Sequence, residues 1–170
     1  MERVHRLSPP QHLFLEQARQ VPEADIASVE TYLSFMWVAK DLFVSQQAFF
    51  GSYNLSEGKL AVLLLLGQAP QYRLTPSALA ERAGVTRGTV TGLLAGLERS
   101  GLAKRDEHPE DRRMFTITLT ESALTLLEQI MPERIHRIMA CMAVLTQEEQ
   151  HHLRILLQKL HDGLSALGAS

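Results

Sequence analysis

Residues 75–120 read TPSALAERAGVTRGTVTGLLAGLERSGLAKRDEHPEDRRMFTITLT, and the punctuation of this stretch decides the fold. Thr75-Pro76 supplies an N-cap followed by proline at the first helical position, where no N–H is needed. Leu79, Ala80 and Ala83 share one face of the helix so begun, and Gly84 ends it. Thr86 caps a second helix, in which Val90, Leu93, Leu94 and Leu97 stand at i, i+3, i+4 and i+7 as one inward stripe. Gly101 closes it as a left-handed residue. Residues 102–107 and 114–119 alternate as strands do, with His108-Pro109-Glu110-Asp111 as the turn between them. Helix, turn, helix and a ribbon with a charged tip make a winged helix-turn-helix. Such a unit sets a helix sized for a major groove beside a hairpin that reaches a minor groove.

The second helix carries the residues suited to reading DNA. Its face opposite Leu94 bears Gly88, Thr91, Gly92, Ala95 and Arg99. Glycine inside a helix costs about 1 kcal/mol relative to alanine, yet Gly88, Gly92 and Gly96 all stand here. A slim face lets a helix sink into a groove; tight packing against another helix is the competing explanation. Thr86, Arg87 and Thr89 flank the face near the N-terminus, where base contacts are usually made. Arginine suits guanine, and threonine suits a thymine methyl or a phosphate. At the ribbon, Arg105 before the turn and Arg112 and Arg113 after Asp111 are expected to contact DNA as well. An arginine gains from the negative potential of a narrow minor groove, and Asp111 could hold Arg113 extended. In isolation, an Asp-Arg-Arg turn is a solvated charged turn; its position after a helix-turn-helix gives it meaning.

Outside this stretch the pattern is helical. Residues 10–20 form a short helix that Val21-Pro22 breaks, and a long helix spans about residues 22–51. Val29, Leu33, Met36, Lys40, Phe43, Gln47 and Phe50 repeat at helical spacing, with Tyr32, Phe35, Ala39, Leu42 and Phe49 on a neighbouring stripe. A helix apolar on so much of its surface is expected to be buried on more than one side. Ser56 caps the next helix, and residues 72–74 are a candidate third strand for the ribbon. Thr120 caps a long helix to about Val144, kinked by Pro132, and Thr146 with Glu149 forms a capping box before the last helix. Leu153, Leu156, Leu157, Leu160, Leu164 and Leu167 form its stripe. These terminal helices carry more apolar surface than a small winged helix covers, so they are expected to pack on a second copy of the chain. The expected organisation is a mainly α chain: dimerisation helices over 1–54, the winged helix-turn-helix over 55–120, and dimerisation helices again over 121–170.

Composition narrows the function classes. The 170 residues are 45% hydrophobic with a net charge of −2, which suits one globular domain plus an assembly element. Between Gln71 and Phe115 eight Lys/Arg face six acids, a balance of +2, while the flanks are acidic. Such a centre predicts modest non-specific affinity and a moderate salt slope. The run Leu60 to Leu66 is too short to span a bilayer, and the first ten residues lack the apolar core of a secretory signal. A cytoplasmic protein without membrane contact is expected. Cys141 is the single cysteine, so no intramolecular disulfide forms; in an apolar helix it is expected to be a buried small hydrophobe. His151 and His152 point about 100° apart on a helix, and His136 and Cys141 are also off one face, so no metal site is expected. Trp37 and the Phe/Met stripes are expected to be core, or to line an aromatic-ligand cavity. No catalytic or cofactor motif is present, which argues against an enzyme and for no cofactor. Two readings remain: a sequence-specific DNA-binding regulator, or a winged helix used as a protein-interaction module.

LTPSALAERAGVTRGTVTGLLAGLERSGLAKR followed by DRRMFTITLTESA resembles the MarR family of bacterial transcription regulators. The resemblance is strong over about residues 55–126 and extends to the terminal helices in layout. Asp111 and Arg113 match the Asp-x-Arg element that marks the family's wing. The resemblance implies a homodimer with two winged helices on successive major grooves of a double-stranded, pseudo-palindromic operator. It implies that Thr86, Arg87, Thr89 and Thr91 face bases or phosphates and that Arg113 enters the minor groove. It further implies a repressor controlled by a small aromatic or phenolic ligand. The peroxide-sensing members carry a cysteine near the start of the first long helix, which is not matched here. VPEADIASVETY resembles the corresponding segment of urate-responsive members, but Glu16, Gln17 and Ala18 stand where those have a tryptophan.

Overall fold

A computed structural model of the chain describes residues 8–107 and 115–167. Backbone contacts divide it into two compact units, Met1–Ala61 and Val62–Ser170.

In the first unit, α1 (Pro9–Ala18) packs on α2 (Ile26–Ser52), with Gln11 Nε2 donating to the Leu33 carbonyl at 3.4 Å. The pattern placed the start of α2 near Pro22, but a cap sets it later. Asp25 accepts from the Ala27 N–H at 3.1 Å and from Ser28 Oγ at 2.5 Å. Donation by the Ser28 hydroxyl, joined by the Ser28 and Ala27 N–H groups, holds the Asp25 carboxyl below its ordinary value. Leu33, Phe49 and Phe50 are buried, and Phe49 meets Phe50 and Tyr53 with ring centroids 5.5 Å apart in both pairs. Much of α2 does not follow the expectation of burial on more than one side. Tyr32, Phe35, Met36, Leu42, Phe43 and Val44 are exposed in the single chain, and Trp37 is half-buried.

The second unit holds the winged helix. α3 (Glu57–Gly67) begins in the first unit, capped by Ser56 Oγ accepting from the Lys59 N–H at 3.3 Å, and places Val62, Leu63 and Leu66 at full burial. A 3-10 turn over Pro70–Tyr72 leads into β1 (Arg73–Leu74), so the third strand forms one residue shorter than the pattern suggested. α4 (Pro76–Ala83) packs on α5 (Arg87–Arg99), and α5 on β2 (Ala103–Glu107). With β3 (Phe115–Leu119) the strands form an antiparallel sheet in the order β1-β3-β2. Arg73 stands opposite Thr118, Arg105 opposite Ile117, and Glu107 opposite Phe115. Leu79, Val90, Leu97 and Ile117 close the core with no exposure.

α6 (Glu121–Met142) is capped by Thr120, whose Oγ1 accepts from the Ala123 N–H at 3.2 Å and donates to the Gly101 carbonyl at 2.7 Å. It runs on through Pro132 and buries Ala123 and Ile130. The capping box forms as expected: the Thr146 N–H donates to Glu149 Oε2 at 2.7 Å and the Glu149 N–H to Thr146 Oγ1 at 3.2 Å, opening α7 (Gln147–Leu167). Ile135, Ile138, Met139, Leu156, Leu157, Leu160 and Leu164 are exposed. Cys141 differs from its expected burial. It is exposed, because it lies in the outer half of α6 beside Ile138, Met139 and Ala140, which are exposed too.

Candidate nucleic-acid interface

Local chemistry fixes where α5 starts and what its first turn shows. Thr75 Oγ1 accepts from the Ala78 N–H at 3.2 Å, and α4 closes on Gly84 in the left-handed region at φ 64°. That residue turns the chain sharply; the Val85 N–H then bonds the Ala80 carbonyl at 3.1 Å. Thr86 follows as the cap of α5, its Oγ1 accepting from the Thr89 N–H at 3.2 Å and lying 2.9 Å from Thr89 Oγ1. The two hydroxyls are thus held together at the positive end of a helix, a setting that favours a phosphate oxygen.

Thr86, Arg87, Gly88, Thr89, Thr91 and Gly92 are all exposed on this end of α5. A Cβ built at Gly92 meets nothing within 4 Å, and one at Gly88 meets only Thr86 Oγ1 at 3.8 Å. No helix of the described chain presses on either glycine, so tight internal packing does not account for them. Gly96 is different. It is buried with Val90, Leu94 and Leu97 on the inward side of the helix, so packing does account for this glycine. Arg87 is the first residue of α5 and takes no part in the ion pairs that engage Arg73, Lys104, Arg105 and Arg137.

The remaining candidates are less free. Thr91 Oγ1 donates to the Arg87 carbonyl at 2.9 Å, and Arg99 Nε folds back to the Ala95 carbonyl at 3.1 Å. Arg105 Nε lies 3.5 Å from Glu98 Oε1, and its Cζ sits 3.9 Å above the centre of the Phe115 ring. Asp111, Arg112 and Arg113 lie outside the described residues.

One group escaped the reading of the sequence. On the strand face opposite Ile117, Thr118 Oγ1 donates to Asp106 Oδ2 at 2.6 Å, and Arg73 Nε donates to Thr118 Oγ1 at 3.2 Å. Arg73 and Lys104 also pair with Asp106 at 3.5 and 3.6 Å. Donation by Thr118, then the Lys104 and Arg73 charges, hold the Asp106 carboxyl below its ordinary value. The register Lys104↔Thr118↔Arg73 was available once residues 72–74 were taken as a third strand; the missing signal was which residues stood opposite. Among the described residues no three of His, Cys, Asp and Glu gather as a metal site, and no helix is long and apolar enough to cross a membrane.

Comparison with known proteins agrees with this architecture. Residues 53–114 match the model of the MarR family. The HTH-type transcriptional repressor YetL of Bacillus subtilis is 37% identical over 150 residues, covering 88% of this chain and 90% of YetL. Among solved structures, the MarR family regulator Sco3205 of Streptomyces coelicolor, in complex with DNA, superposes with a TM-score of 0.64 at 24% identity, over 79% of this chain and 85% of Sco3205. The MepR-DNA complex of S. aureus superposes with a TM-score of 0.63 at 24% identity, over 78% and 96%. The structures support the shared winged-helix fold; the identity to YetL over most of both chains carries kinship. The chain therefore belongs to the MarR family of winged helix-turn-helix transcription regulators, DNA-binding proteins that are not enzymes.

Proposed function

We propose that the protein is a cytoplasmic homodimeric repressor that binds a pseudo-palindromic operator and releases it when a small aromatic or phenolic ligand binds. Residues 55–120 bind the duplex, and residues 1–54 and 121–170 join the two copies. The observation that carries this reading is the open end of α5: two glycines on which no other helix of the described residues presses, beside Arg87 and the paired hydroxyls of Thr86 and Thr89. Thr86, Arg87, Gly88, Thr89 and Thr91 enter the major groove, Arg99 flanks it on the phosphate side, and Arg112 and Arg113 of the wing, supported by Asp111, reach the adjacent minor groove. The exposed apolar residues of α2, α6 and α7 support self-association, since so large an uncovered surface is unusual for a monomer.

Fluorescence anisotropy with duplexes from the protein's own upstream region tests the reading. Specific binding exceeds binding to scrambled duplex by ~10³ or more, and footprinting shows two half-sites centred about one helical turn apart. Equal affinity for both duplexes would replace this reading with that of a protein-interaction module. A thermal-shift screen of phenolic acids, urate-like purines and metals then identifies the effector class by selective stabilisation of the folded state.

A further inference from the structure

We propose that Glu98 and Arg105 are positioning residues, which with Phe115 lock the base of the wing ribbon to the C-terminal half of α5. In this proposal Arg105 serves DNA binding through the aim of the ribbon, not by touching a phosphate. It rests on the family's DNA-binding function and assigns two residues a part in it.

The strand register begins the argument. Arg105 stands directly opposite Ile117, and directly opposed residues share a sheet face. Ile117 has no exposure, so that face is the inner one, turned toward the core. Phe115 is the diagonal neighbour of Arg105 there, within reach of a long side chain. The guanidinium carbon lies 3.9 Å from the ring centre, close enough for a cation–π contact. From this position Nε faces Glu98 of α5 at 3.5 Å, an ion pair longer than a hydrogen bond. Glu98 Oε1 is shielded from water and, among the described residues, accepts no hydrogen bond. Arg105 is the cation that offsets it.

The arrangement leaves Arg105 little liberty. Swinging the guanidinium out to a phosphate would uncover the Phe115 ring and leave the shielded Glu98 oxygen without its counter-charge. The opposite face of the same strands is held separately by Arg73, Thr118, Asp106 and Lys104. The strands are therefore gripped on both faces, and of these two grips, among the described residues, the inner one connects them to the helix that reads the groove. Planarity matters to this grip: lysine offers a point charge, not a flat ion that stacks.

The test uses the full-length protein and one operator duplex, with affinity measured against salt for the wild type, Glu98→Gln, Arg105→Gln and Arg105→Lys. Each variant loses about tenfold in affinity, equivalent to ~1.4 kcal/mol, with an unchanged salt slope. The Glu98→Gln/Arg105→Gln double variant is no weaker than either single change, because both break one unit. A phosphate contact gives the opposite results. Arg105→Gln would then lower the slope by about one, Arg105→Lys would keep most of the affinity, and Glu98→Gln would bind tighter, having lost an acid near a polyanion. Any of these overturns the proposal. Melting curves confirm folding; should Glu98→Gln fail to fold, Phe115→Leu keeps the apolar fill, removes the ring face and carries the same expectation. A wild type that prefers no duplex would count against the function itself, which separates that failure from this one.

Discussion

Two helices of this chain carry equally regular apolar stripes and meet opposite fates. In α5, Val90, Leu94 and Leu97 are between 0% and 3% exposed; in α7, Leu156, Leu157, Leu160 and Leu164 remain between 38% and 62% exposed. Periodicity states that a face must be covered and is silent about what covers it. The winged helix finds its cover within a few dozen residues of chain. The stripes of α2, α6 and α7 largely do not, although helices in water derive most of their stability from packing an apolar face. A second copy of the chain is the cover we propose.

The sharpest way to break that contrast is to put a charge into each stripe. Leu157→Asp or Leu160→Asp should abolish the dimer, or unfold the arms with it, because burying an unpaired carboxylate is prohibitive. Light scattering after gel filtration reads the mass directly, and a dimer that persists would place the interface elsewhere. The same residues cut back to alanine should lower the melting temperature in a concentration-dependent way. Leu97→Ala in α5 should instead cost ~2–5 kcal/mol in chemical denaturation, with the same midpoint at any protein concentration above full assembly.

Within the reading face the effects are smaller and separate affinity from stability. Arg87→Ala and Arg113→Ala should each weaken operator binding by about 1–3 kcal/mol, with little change in melting temperature; unchanged affinity at moderate salt would remove that residue from the interface. Gly92→Ala is the more telling change. Open space surrounds its Cβ position, so the substitution should stabilise the free protein by up to ~1 kcal/mol through helix propensity. On DNA the added methyl stands where the groove wall must come, so affinity should fall. A variant that gains both stability and affinity would show that the slim face is not the docked one.

Legibility followed the range over which the forces act. The caps at Thr75, Thr86, Thr120 and Thr146, the left-handed Gly84 and Gly101, and the inward stripe of α5 are local chemistry, and each stands where the residues put it. Asp25 is local too, but Pro22 is the louder signal in the sequence and points to a start of α2 earlier than the Asp25 cap allows. What escaped depends on neighbours distant in sequence. Gly96 looked like its companions Gly88 and Gly92 until the core closed over it. The apolar helix around Cys141 suggests burial, but among the described residues nothing covers that stretch. Arg105 looked like another free cation of a basic centre, and only the register shows it facing Phe115 and Glu98. The wing-tip residues Asp111, Arg112 and Arg113 rest on the sequence alone.

The smallest expected effect concerns acid. Asp106 is held below its ordinary value of 3.8, first by the Thr118 hydroxyl and then by Lys104 and Arg73. A carboxyl depressed in the folded state binds fewer protons there than in the unfolded chain. Its contribution is therefore complete above the ordinary value and is lost as pH falls through the folded one. Asp106→Asn should lower stability slightly at neutral pH and flatten the part of the acid-side decline that lies below about pH 4. The decline should not vanish, because the cap acids Asp25 and Glu149 are depressed as well, the first by Ser28 and the second by the Thr146 N–H. Those two belong to the helical arms and Asp106 to the wing. Denaturation profiles at several pH values, followed by hydrogen exchange of residues 103–107 and 115–119 and of the first turns of α2 and α7, should therefore lose the acid response in the strands alone. An equal loss at all three places would mean that arms and winged helix unfold as one unit, and the contrast drawn between them would concern what covers each stripe, not how independently each part is held.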